Sequence, residues 1–211
     1  MTLQIGMRGC DGIVVVGDTW QYVEHGDRPW FGYHGTKIRV SPDMRIAVAG
    51  AHDMDASFAI AEEIIESSSA FQDRRTDILT IGNRLAEGHD SQCLIAFVDP
   101  VPSLYFYSHA RTGQSKCEEV LTCIPIGDQW NMAYLWANIL HRNTLNCAQL
   151  SRLGAVVITS AEKISNGTIR GLEGFTCNTE GIRLWDRLES EALATATKTL
   201  EEGFERAILE P

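Results

Sequence analysis

Apolar and polar positions alternate from the second residue onward. Leu3, Ile5 and Met7 point one way and Thr2, Gln4, Gly6 and Arg8 the other, which predicts a β-strand over Thr2 to Arg8. Turn residues follow at Gly9-Cys10-Asp11-Gly12, and the run Ile13 to Val16 is apolar on both faces before Gly17-Asp18 ends it. The two segments read as a hairpin whose second strand is covered on both sides. Beyond a Gly/His/Pro-containing connection, Thr36 to Val40 and Arg45 to Ala49 form a second pair of strands turned at Ser41-Pro42-Asp43.

Gly50 is expected to close that pair and lead into a helix with Asp53 as N-cap and Met54, Phe58, Ala61 and Ile65 on its inner face. A second helix places Ile78, Ile81 and Leu85 together. Strands are predicted at Cys93 to Val98, Leu104 to Tyr107 and Cys123 to Ile126, the first two separated by Asp99-Pro100-Val101-Pro102. A third helix, Gln129 to Leu140, is expected to bury Met132, Leu135, Trp136 and Ile139, and a fourth Leu150, Leu153, Val157, Ala161 and Ile164. Two late strands, Ile169 to Cys177 and Ile182 to Trp185, flank Asn178-Thr179-Glu180-Gly181, and a helix ends the chain. Helices in consecutive pairs between groups of antiparallel strands predict an α+β fold, a four-layer α-β-β-α sandwich. No repeat or linker divides the 211 residues, so a single domain over 1–211 is expected.

Composition narrows the function classes. A formal net charge of -10 argues against nucleic acid and anionic membrane as partners, since the average surface repels both. No apolar run approaches the roughly 20 residues that span a bilayer, and the start lacks a basic-then-apolar leader, so a cytoplasmic location is expected. Six scattered cysteines form no CxxC pair and read as reduced, mostly buried thiols. Six histidines show no metal-ligand spacing, so no metal or other cofactor is expected.

The candidate chemistry lies near the chain start. Removal of Met1, favoured by the small residue behind it, exposes Thr2, whose own α-amine (reference pKa about 8) can accept the hydroxyl proton directly or through a water. In a paired hairpin Asp18 lies beside the start of the first strand, and Lys37 begins the next pair; an Asp-Lys pair there keeps the lysine charged next to a developing alkoxide. Gly50, between strand and helix, has an amide that can face a tetrahedral oxyanion. Taken singly, each is also an ordinary feature: a threonine after a start codon, solvated charges at strand ends, a turn glycine.

In combination, Thr2, the hairpin through Asp18, Thr36-Lys37 and the stretch Ile46 to Asp53 resemble the proteasome β-subunit family of N-terminal-nucleophile hydrolases, which includes the bacterial two-component protease subunits. The resemblance implies Thr2 as nucleophile, Lys37 as the residue that tunes it, Asp18 as the partner of the lysine and Gly50 as oxyanion donor. It also implies supporting roles for Asp128, in place of the serine of a Gly-Ser-Gly segment, and for Glu162 and Ser165, from an Asp-x-x-Ser-Gly-Gly segment. A carboxylate at 128 would favour the protonated amine and weaken it as a base. The implied activity is threonine-type cleavage of peptide bonds in peptides or unfolded proteins, within a homo-oligomeric ring served by an ATP-dependent unfoldase. A non-catalytic scaffold subunit and a small-molecule amidase or acyl-transferring ligase on the same fold are the alternatives.

Overall fold

The structure is a computed structural model, and it describes residues 2–25, 28–127, 130–165 and 168–209. The predicted hairpin is present: β1 (Leu3–Arg8) pairs antiparallel with β2 (Ile13–Gly17), with Gln4 opposite Gly17. On its other side β2 pairs with β11 (Glu173–Asn178), which continues to β12 (Gly181–Leu184), and β10 (Cys123–Gly127) flanks β1. This five-stranded sheet has the order β10-β1-β2-β11-β12. A second five-stranded sheet runs β5 (Ile38–Val40), β6 (Ile46–His52), β7 (Ser91–Val98), β8 (Pro102–His109), β9 (Ser115–Glu119).

The pleat distributes the core into three parts. Ile13 and Val15 from β2, with Phe175 and Cys177 from β11, meet Ala47, Ala49, Leu94 and Ala96 of the other sheet in one apolar cluster. The alternate residues Val14 and Val16, with Leu3, Ile5 and Met7, face α3 (Trp130–Leu140) and α4 (Cys147–Ile164). Ile46, Val48, Cys93 and Ile95 face α1 (Met54–Ser67) and α2 (Arg74–Leu85). The helix α5 (Arg187–Leu209) packs on α4. The described residues thus form a mixed α/β fold of three antiparallel sheets and five helices.

The third sheet is a correction. The connection after Asp18 holds a hairpin of β3 (Trp20–His25) and β4 (Arg28–His34), and the edge strand β9 was also missed. The β-formers Trp20, Tyr22, Val23, Phe31 and Tyr33 were the available signal. In β9 only Cys117 is buried, so it has little apolar pattern to read. Gly50 does not end its strand, since pairing with β7 continues to His52.

Helix positions held better than helix faces. Asp53 caps α1, accepting from the Ala56 amide at 3.0 Å, but the buried face is Ala56, Ser57, Ile60, Ala61 and Ile64. Among the α3 residues whose burial is described, Ala133 and Ala137 are fully buried and Trp136 packs against the same cluster as expected, whereas Leu135 and Ile139 are exposed; the Met132 side chain lies outside the described residues. Small residues let the helix axis approach the neighbouring layer, and Leu135 and Ile139 are turned outward. On α4, Leu150, Leu153, Val157 and Ala161 are buried as expected, but Ile164 is 59% exposed. Leu150→Ala should therefore cost about 2–5 kcal/mol and Ile164→Ala no more than about 0.5 kcal/mol in denaturant unfolding; equal losses would contradict the placement of α4.

Candidate functional site

The hairpin register places Asp18 beside the chain start. Its amide donates to the Leu3 carbonyl at 3.1 Å, and its Oδ1 accepts from the Leu3 amide at 2.8 Å, which extends the ladder by one side-chain bond. Oδ2 accepts from the Trp20 amide at 3.1 Å and from Lys37 Nζ at 2.9 Å. The same ammonium donates to Thr2 Oγ1 at 3.0 Å. Asp18 and Lys37 are 0% exposed and Thr2 4%, so the three groups interact away from bulk water. Burial pushes the Asp18 carboxyl above its usual range, while the Lys37 charge and the amide donors pull it down.

Lys37 reaches this point from the other sheet. Its carbonyl accepts from the Gly50 amide at 3.0 Å and its own amide donates to Glu173 Oε1 at 2.7 Å, so the two peptide groups flanking its Cα are both held. The Gly50 N–H expected to face an oxyanion is thus committed to the ladder. The absence of a side chain at Gly50 has a packing reason, because a Cβ there would lie 2.6 Å from Ser57 Cβ on α1. Gln4 adds a cross-sheet bond from Nε2 to the Gly50 carbonyl at 2.9 Å.

Gly127 closes the site from β10. It has φ +93°, donates to Gln92 Oε1 at 2.8 Å, and approaches Thr2 so closely that a Cβ would overlap the Thr2 carbonyl oxygen. Met1 and Asp128 lie outside the described residues. Ser165 caps the end of α4: its hydroxyl accepts from the Ile169 amide at 3.1 Å and donates to the Glu162 carbonyl at 3.1 Å, tying the helix to the segment that enters β11. The Glu162 side chain is exposed and lines a cavity of about 650 Å³ with Thr19, His34 and Glu173.

Sequence reasoning missed Glu173. Within the predicted strand Ile169 to Cys177 nothing local marks this carboxylate, and only the tertiary fold brings it to Lys37. Burial pushes its carboxyl up to about 7, with the Lys37 amide bond acting against the rise. Asp18→Ala would leave the Lys37 ammonium buried without its carboxylate and should cost about 3–5 kcal/mol in denaturant unfolding; a loss below about 1 kcal/mol would contradict the buried pair.

No protein-family model matches the chain, and no curated protein matches it. Among solved structures it is similar to the Gly-1 mutant of Anbu from Hyphomicrobium sp. strain MC1, with TM-score 0.72, 12% identity, and 100% of this chain and 98% of that chain covered. Anbu from the same organism in another crystal form gives TM-score 0.70 and 12% identity, covering 99% of this chain and 97% of that one. Anbu from Yersinia bercovieri, described as an ancestral beta-subunit, gives TM-score 0.72 and 11% identity with the same coverage of 99% and 97%. The resemblance to the proteasome β-subunit family and its bacterial protease subunits is corrected accordingly: the structures that this chain is like are Anbu, and identities of 11–12% show the fold alone. The fold is of the kind seen in those Anbu structures.

Proposed function

We propose that the protein is a threonine-type amide hydrolase that cleaves peptide bonds with Thr2 after removal of Met1, on a four-layer α-β-β-α sandwich of the N-terminal-nucleophile kind. The observation that carries this reading is the buried contact of Lys37 Nζ with Thr2 Oγ1 at 3.0 Å, with Asp18 holding the same ammonium at 2.9 Å. A positive charge fixed beside the hydroxyl lowers the cost of forming an alkoxide, and it is already oriented before substrate arrives.

In the first half-reaction the freed α-amine of Thr2 takes the Oγ1 proton, directly or through a water, as the oxygen attacks the peptide carbonyl. The tetrahedral intermediate collapses with cleavage of the C–N bond, the proton passes to the departing amine, and an ester on Thr2 remains. In the second, water gives a proton to the same α-amine while attacking the ester, and the acid leaves with Thr2 restored. Nucleophile, base and charge all come from side chains and the chain terminus.

The substrates we propose are peptides or unfolded polypeptide. Self-association into a ring is supported by the exposed apolar residues Tyr134, Leu135, Ile139 and Leu140 on α3, and by the description of a similar structure as a beta-subunit. An ATP-driven unfoldase is the partner such a compartment would need. Light scattering should give a mass several times that of the 23.4 kDa chain, reduced by Leu135→Asp; a monomer at micromolar concentration would end the ring proposal.

Intact mass before and after incubation with a peptide epoxyketone, which captures an amine and a hydroxyl on one terminal residue, tests the nucleophile. Loss of Met1 and one adduct per chain are expected, with no adduct in Thr2→Ala. Complete loss of Met1 without an adduct would favour a non-catalytic scaffold.

A further inference from the structure

We infer that Glu173 is a positioning residue for the nucleophile, its carboxylate pinning the main chain of Lys37 and thereby setting where the lysine ammonium meets Thr2 and Asp18. The inference rests on the reading of Thr2 given above. Glu173 opens β11 directly opposite Gly17, the residue before Asp18, so one strand neighbourhood supplies both carboxylates that act on Lys37. Asp18 holds the ammonium, and Glu173 holds the amide 2.7 Å from its Oε1. The Gly50 amide donates to the carbonyl of the same residue, Lys37. Without an acceptor at 173, the Lys37 amide loses this bond and the residue's main chain is held less firmly.

The tether is sensitive to charge. On the nucleophile side Glu173 faces the Lys37 ammonium, which favours its ionised form, and Asp18, which opposes it. Around the cavity, Glu162 projects from α4, Asp186 precedes α5, and Lys198 lies on α5. Arg187 is engaged by Glu191 at 2.7 Å, and His34 by the Thr19 hydroxyl at 2.7 Å. Burial holds the Glu173 carboxyl near neutrality, at about 7. Proton uptake removes the charge that strengthens its bond to the Lys37 amide, so the tether weakens as pH falls through that value.

Two readouts separate this role from general support of the fold. In ¹H–¹⁵N spectra of the full chain between pH 5.5 and 8.5, the Lys37 amide proton should move upfield as pH falls, with a midpoint near 7. In Glu173→Gln, which keeps an acceptor but carries no charge, that titration should vanish; in Glu173→Ala the proton should lie upfield throughout. Epoxyketone adduct formation at pH 8 should slow on the order of tenfold or more in Glu173→Ala, and Gln should recover most of that loss. The same spectra establish whether each variant is folded, and Glu173→Gln carries the test if Ala is not. A Lys37 amide that does not titrate in the unaltered protein overturns the inference, as does an unchanged adduct rate in both folded variants. If the unaltered protein forms no adduct at any pH, the reading of Thr2 falls, and the Lys37 titration alone decides the role of Glu173.

Discussion

The buried ammonium of Lys37 is the constraint on which the rest of the site depends. A fully desolvated lysine is costly unless oxygen atoms replace the lost water, and here Asp18 and Thr2 supply them. Lys37 enters from the sheet that contains β5 and β6, whereas Asp18 and Thr2 belong to the β1–β2 hairpin of the other. Satisfying the charge therefore requires both sheets to be in register at this end. Gln4 reaching the Gly50 carbonyl and Gln92 accepting from Gly127 repeat the same cross-sheet connection with neutral groups. Docking of the two sheets and assembly of the site consequently depend on the same contacts.

What could be read from the sequence was whatever depends on strand register over a short span. Alternation in β1, turn residues at Gly9 to Gly12 and the apolar run of β2 suffice to bring Asp18 next to Leu3. Lys37 was legible as a charged residue at a strand start, but its complete burial was not, because burial depends on the second sheet. The geometry of the Gly50 amide was misjudged for a related reason: the apparent strand end is still paired with β7, and its amide donates to the Lys37 carbonyl. The structure places Lys37 in direct contact with both Thr2 and Asp18, while Ser165 holds the end of α4 and Glu162 faces the neighbouring cavity.

Helix orientation was harder to read than helix position. The spacing rule weighs large apolar residues, and on α3 it selects an inner face that holds for Trp136 but not for Leu135 and Ile139. Ala133 and Ala137 occupy the inner face because contact distance, rather than hydrophobicity, is limiting there. Glu173 was illegible for the opposite reason. Its partner is 136 residues away in the chain, and no local pattern distinguishes a carboxylate that holds a remote peptide from one at a solvated strand end.

The backbone of Gly127 lies against the Thr2 carbonyl with a left-handed φ, so it is confined by both conformation and contact. It contributes no side-chain atom to any chemistry, yet a larger residue there must move the start of the chain. Occupancy of position 127 and placement of residue 2 are therefore one backbone variable, whatever side chain residue 2 carries. A side chain at 127 is a way to displace the chain start while leaving Thr2, Asp18 and Lys37 unaltered in sequence.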